Sequence, residues 1–219
     1  MKNTDNLDLP LILIAYIYKH GISDYIKLND IGLNRLLYCI EKLCDIPLNV
    51  EYVMTKHGPY SVEVSNAINI ADSERIISPR SWNDTWFYRY SMPQAAYISD
   101  VFDDNMLQRV IDFLYELVHG QKVNTALKFK FVKDPLAQYE LVKILSFIIH
   151  HYMIESEKSS ENVDQVAFKN KVVKTVLENY VQEYQVFKNN RHSYLSKYIV
   201  RPLYEVVKLF MEDKIVKTK

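Results

Sequence analysis

A mainly α-helical chain with one small β-hairpin is predicted by three observations. Apolar residues recur at spacings of three and four over most of the length. Glycine is scarce, at Gly21, Gly32, Gly58 and Gly120, which disfavours many-turned β architecture and glycine-rich phosphate loops. Alternation with a period of two is limited to short stretches, chiefly residues 75–90. The 219 residues are 48% hydrophobic and 25% charged, the usage of an ordinary globular protein long enough for a sizeable core in one or two domains.

Taken in order, Leu9 to Lys19 is dense in apolar residues and predicts a buried helix stopped at His20-Gly21. It reaches about half the length that spans a bilayer. Asp5 and Asp8 precede it with Lys2 as the sole basic residue, and no small-residue cleavage site follows, so a cytoplasmic location without a membrane is expected. Asn29 or Asp30 caps a second helix from Ile31 to about Cys44, marked by Leu33, Leu36, Leu37, Ile40 and Leu43. Pro47 prevents its continuation. Val50, Tyr52 and Met54 alternate in a short strand or extended connection. In Lys56-His57-Gly58-Pro59-Tyr60-Ser61, the Gly58-Pro59 pair predicts a hard turn. Ser61 to Ala71 then reads as a third helix, with Val64, Ala67, Ile68 and Ala71 on one face and Val62, Ser65, Asn66 and Asn69 roughly opposite. Arg75–Ser78 and Thr85–Tyr90 predict a hairpin with its tip at Arg80-Ser81-Trp82-Asn83. Helix, helix, extended segment, helix, hairpin is the order of a winged helix-turn-helix, the third helix being its recognition element and the hairpin its wing. Residues 1–95 form this expected domain.

Residues 96–219 read as a second, helical domain of four to five helices. Asp103 or Asp104 caps a helix carrying Leu107, Val110, Ile111, Leu114, Leu117 and Val118, stopped by His119-Gly120. Residues 122–133 read as a helix or connector. Asp134-Pro135 opens a helix running to about Glu155, and Ser156–Asn162 reads as a polar loop. Between Val163 and Asn189 a heptad-like seam places Val166, Val173, Tyr180 and Phe187 at one position and Asn170, Leu177 and Tyr184 at the other. That pattern suits an antiparallel helix pair or a homodimer seam, and a homodimer is expected. Tyr194–Glu212 is a last helix, kinked or started afresh at Pro202.

Signatures of catalysis do not occur: there is no P-loop, dinucleotide fingerprint, nucleophile elbow or zinc-protease motif. His150 and His151 are adjacent and diverge by about 100° on a helix, so they do not clasp a metal together. No catalytic residue, metal or cofactor is expected. Cys39 and Cys44 lie five apart on a helix and point away from each other, which predicts unbridged structural thiols in a reducing compartment.

The turn and its surroundings carry a resemblance. Leu36-Leu37-Tyr38, then Lys56-His57-Gly58-Pro59-Tyr60-Ser61, a short helix and Arg75-Ile76-Ile77 resemble a set of prokaryotic winged-helix proteins that share a Tyr-Gly-Pro-Tyr-Ser-like turn, among them the Panacea domain of toxin–antitoxin and proteolytic-adaptor proteins. The likeness covers about forty residues, with His57 standing where tyrosine is commoner. It implies a winged helix with a regulatory or protein-binding role and no enzyme activity.

Two functions are expected from these residues. In the first, the chain is a DNA-binding regulator: Asn66 and Asn69 read adenine edges, Ser61 and Ser65 meet phosphate, Lys56 and His57 flank the helix N-terminus, and Arg80 and Trp82 enter a minor groove. Tyr60 and Arg89 complete the candidate set. In the second, the same face docks a protein, for which Val62, Ile70 and the wing aromatics suit an interface. The net charge is zero, so no whole-molecule field draws nucleic acid. Residues 1–99 hold nine basic and eleven acidic side chains, and residues 188–219 hold eight basic and three acidic, so phosphate contacts have to come from a local patch.

Overall fold

The computed structural model describes residues 8–19, 26–82, 85–91, 102–119, 135–158, 164–187 and 201–212. The expected stops at Gly21 and Gly120, the connector over 122–133, most of the polar loop before Asn162 and the start of the last helix before residue 201 lie outside them. The chain divides into two compact units, Met1–Tyr139 and Glu140–Lys219.

In the first unit, α1 (Leu9–Lys19) starts where the Asp8 carboxylate accepts from the amide of Leu11 at 3.0 Å, and its Leu13, Ile14, Ile17 and Tyr18 are wholly buried. Helix α2 (Asp30–Cys44) is capped by Asn29, whose Oδ1 accepts from Gly32 at 2.9 Å. It ends at Asp45 in the left-handed region, φ 55°. Gly58-Pro59 is not the turn that was expected. Strands β1 (Val53–Thr55) and β2 (Gly58–Tyr60) pair antiparallel, with Val53 opposite Tyr60 and Thr55 opposite Gly58. Lys56-His57 makes the turn. Thr55 staples it, donating to the Gly58 carbonyl at 2.8 Å and accepting from the His57 amide at 3.1 Å. Glycine is required just after that turn because the backbone there has φ 110°, which residues with a Cβ rarely adopt.

Helix α3 (Val62–Ser73) buries Val64, Ala67, Ile68 and Ala71, the four positions its spacing selects. Beyond it, β3 (Ile77–Trp82) and β4 (Thr85–Tyr90) form an antiparallel hairpin with register from Ile77 opposite Tyr90 to Trp82 opposite Thr85. The expected tip is therefore misplaced: Arg80, Ser81 and Trp82 lie in the strand, facing Phe87, Trp86 and Thr85. The reason is β4, which buries Phe87 on one face and Tyr88 on the other and so holds its partner in register along all six residues. Pro79 is tolerated in β3 because a two-stranded ribbon leaves that strand an edge. The far side of β4 is used, with the Tyr88 amide donating to the Leu28 carbonyl, between α1 and α2, at 2.9 Å.

Helix α1 packs on α3 and β4, and α2 packs on β2, α3 and α4 (Asp104–His119). The Cys44 thiol donates to the Arg109 carbonyl at 3.7 Å, so α4 completes the first unit, which runs past residue 95. In the second unit, α5 (Pro135–Lys158, shared at its start with the first) continues through Ser156–Lys158 as helix where a loop was expected. Ile144, Leu145, Ile148 and Ile149 of α5 are buried, as are Phe168, Val172 and Val176 of α6 (Gln165–Phe187) and Val206 and Phe210 of α7 (Arg201–Met211). Tyr152 meets Phe168 and Phe210 edge-on, with ring centroids 5.4 and 5.9 Å apart. Among the described residues no helix is long and apolar enough to cross a membrane.

A candidate recognition surface on the third helix and its hairpins

What holds α3 in place is a polar staple in an otherwise apolar contact. Asn34, on the α3-facing side of α2, is completely buried. Its Nδ2 donates to the Asp30 carbonyl at 3.2 Å and to Ser65 Oγ at 3.0 Å, and its Oδ1 accepts from the Ser61 amide at 2.9 Å. All of its donors and its acceptor are thus engaged, which is what a buried amide needs to break even. Ser61 is the N-cap of α3: its Oγ accepts from the Val64 amide at 3.4 Å and donates to the Glu63 carboxylate at 2.6 Å. That hydroxyl is the main cause holding the exposed Glu63 carboxyl below its ordinary range, so an anion stands at the helix N-terminus, where the dipole favours it.

These bonds decide the fate of the expected site. Ser61 is buried and Ser65 half-buried; they fasten the helix rather than face outward. Asn66 and Asn69 are exposed, together with Glu63, Val62 and Ile70, the last two 61% and 39% accessible. Lys56 and His57 are exposed at the β1–β2 turn. Next to them Tyr60 and its cross-strand partner Val53 are also exposed, Val53 by 67%. The N-terminal end of α3 therefore carries three solvent-facing apolar side chains, Val53, Tyr60 and Val62.

On the β3–β4 hairpin, the pairs Ser78–Arg89 and Arg80–Phe87 put both arginines on one face, and both are exposed. Phe87, between them on that face, is buried, with Lys27 Nζ 5.7 Å from its ring centroid. One cation thus stands by the ring, and the two arginines share its face of the ribbon. The opposite face carries Trp86, 43% exposed, edge-on to Tyr88 at 5.4 Å. Burial pushes the Tyr88 hydroxyl pKa up, and the nearby Asp72 and Asp30 add to the shift. The side chain of Trp82 lies outside the described residues; its backbone belongs to β3.

Sequence reasoning missed Asn34, Lys27 and Val53. Asn34 was detectable as a polar residue flanked by Leu33 and Leu37 on the apolar side of a helix, whereas nothing local marks Lys27, whose ring partner is sixty positions away. No protein-family model, curated protein or solved structure matches the chain. Among the described residues, no three His, Cys, Asp or Glu side chains gather to hold a metal ion. What the surface offers is exposed carboxamides on a firmly held helix, a basic hairpin face, and an apolar corner at the N-terminal end of that helix.

Proposed function

We propose that the first unit is a winged helix-turn-helix and that the protein is a DNA-binding regulator, with α3 as the recognition helix and β3–β4 as the wing. The observation that carries this reading is the pairing of an outward carboxamide stripe with a basic hairpin face: Asn66 and Asn69 stand exposed on α3, while Arg80 and Arg89 share the face of the wing on which Phe87 meets Lys27. A carboxamide matches the donor and acceptor edge of adenine, and arginine matches phosphate. The Leu28–Tyr88 hydrogen bond supports the architecture, since it joins the segment between α1 and α2 to the wing.

The test is a titration of the full chain against DNA selected for binding, at two salt concentrations. Three phosphate contacts give a log–log salt slope of about −3, so affinity falls by roughly fiftyfold from about 50 to 200 mM salt. Arg80→Ala with Arg89→Ala flattens that slope. Asn66→Ala with Asn69→Ala removes the preference between sequences by about tenfold or more, at about 1–3 kcal/mol for each lost base contact. Unchanged selectivity in the asparagine variant ends the recognition-helix reading.

A second reading is favoured by a specific observation, the exposed Val53, Tyr60 and Val62 at the α3 N-terminus. In it the surface docks a protein partner, in line with the antitoxin-like and adaptor-like resemblance of the turn. Binding that survives high salt and is lost in Val53→Ser with Val62→Ser selects this alternative.

A further inference from the structure

The β3–β4 hairpin does not place itself. Two strands alone are marginally stable in water, so where the hairpin stands is set by what it is tied to. One tie is the short segment between α1 and α2. Residues 26–28 belong to no helix or strand, and Ile26 and Leu28 are buried. Backbone groups there have no ladder to satisfy them and are partnered one by one. The Leu28 carbonyl accepts from the Tyr88 amide of β4 at 2.9 Å. The amide of Lys27, one residue earlier, donates to Oε1 of Gln138, on the first turn of α5, at 2.6 Å. Lys27 adds its ammonium, 5.7 Å from the centroid of the Phe87 ring on the same strand, within cation–π range. Gln138 stands on an anchored turn, since the adjacent Tyr139 hydroxyl accepts from Nη2 of Arg35, a completely buried residue of α2, at 3.2 Å. All of these residues belong to the first unit, and the order of contact is α2, the start of α5, residues 26–28, β4.

We propose that Gln138 is a positioning residue, whose hydrogen bond to Lys27 fixes where the hairpin stands beside α3. This inference rests on the reading of α3 as a recognition helix and β3–β4 as its wing. In that reading α3 is fastened to α2 by Asn34, while the wing is fastened to α2 through the start of α5 and residues 26–28. Two separate polar fastenings on one helix therefore set the span from Asn66 and Asn69 to Arg80 and Arg89. A carboxamide that touches no nucleic acid decides whether the arginines reach phosphate in the same complex in which the asparagines meet base edges. Without that carboxamide the half-buried Lys27 amide loses its acceptor, a cost that the segment relieves by moving out to water. That movement draws the Leu28 carbonyl away from Tyr88 and frees the wing.

Amide hydrogen exchange of the full chain, free of DNA, reads the tie directly. In Gln138→Leu the Tyr88 amide is expected to exchange about tenfold faster than in the wild type, while the Leu37 and Ile40 amides inside α2 keep their rates. Gln138→Glu offers an acceptor at the same reach and keeps Tyr88 protected. Gln138→Asn withdraws the carboxamide by one methylene and also accelerates Tyr88, which preserves the test if the leucine variant does not fold. In titrations against the selected DNA, the leucine and asparagine variants lower the magnitude of the log–log salt slope by about one to two and leave the preference between sequences intact, whereas Gln138→Glu retains the wild-type slope. A Tyr88 rate that is unchanged in Gln138→Leu or Gln138→Asn overturns the tie. A faster Tyr88 amide with an unchanged salt slope overturns the positioning role. A wild-type chain that binds no DNA overturns that role together with the reading beneath it, and the exchange rates then uphold or overturn the tie separately.

Discussion

Asn34 and Arg35 are neighbours on α2, both completely buried, and their energetic roles are opposite. Asn34 accepts the Ser61 amide and donates twice, so Asn34→Ala leaves a buried N–H without an acceptor and is expected to cost about 2–3 kcal/mol. Arg35 donates from Nη2 to the Tyr139 hydroxyl at 3.2 Å and stacks over that ring at 4.3 Å, but its Nε and Nη1 have no hydrogen-bond partner among the described residues. A buried cation with unmet donors gives back much of what its stacking gains, so Arg35→Met is expected to be neutral or to stabilise by about 1 kcal/mol. Urea midpoints of the two variants decide the matter; a loss above about 2 kcal/mol for Arg35→Met shows that the guanidinium is needed. The thiols nearby are held inert. Burial is the main cause pushing both up, Cys44 to about 12, which leaves almost no thiolate at neutral pH.

At the scale of elements, the ends of helices hold most of what is improvable. After the C-cap of α3, Arg75 sits at φ 59°, and the next amide, Ile76, reaches back to the Ala71 carbonyl at 2.8 Å. This is a left-handed stop made without glycine. Arg75 is exposed, so Arg75→Gly is expected to stabilise by about 0.5–1 kcal/mol, read as a raised urea midpoint at constant slope; a drop in the midpoint contradicts the strain. Helix α5 carries the pH response. His150 and His151 are half-buried with ring centroids 5.5 Å apart. Burial is the main cause holding each ring below its ordinary value of 6.5; His151 lowers His150 further, and Glu155 pulls His151 back up. The unfolded chain therefore takes up protons that the folded one refuses. Stability is full above the ordinary value and declines as pH falls from about 7 to about 5. Glu155, kept low mainly by its bond to Lys171, responds only further down. His150→Gln with His151→Gln is expected to flatten the pH 7-to-5 decline in thermal midpoint; an undiminished decline assigns it elsewhere.

For the whole molecule, the division into Met1–Tyr139 and Glu140–Lys219 makes a prediction that the chain is equipped to report. Both tryptophans, Trp82 and Trp86, lie in the first unit, whereas helix is distributed over both. Indole fluorescence and helical circular dichroism are expected to follow separate denaturant transitions, because compact units with their own cores unfold as their own stabilities dictate. Superimposed curves show instead that the units unfold together. The same pair of probes locates the histidine effect, which moves the dichroism transition and leaves the fluorescence transition in place.

Sequence alone determined which residues turn inward within each element. The four inward positions of α3, a cap at Asn29 or Asp30, the two strands of the second hairpin and the exposed asparagines follow from spacing and capping, which act over a few residues and leave a local record. Tertiary structure decided what those elements meet. It made Ser61 and Ser65 anchors instead of contacts, because Asn34, about thirty positions earlier, needed partners. It moved the first turn from Gly58-Pro59 to Lys56-His57, because glycine was wanted after the reversal and not within it. It carried Arg80 into a strand, because burying Phe87 and Tyr88 on opposite faces fixed the register. Hydrogen bonds and burial between distant segments have no period along the chain, so they emerge only when the helices and ribbons are packed.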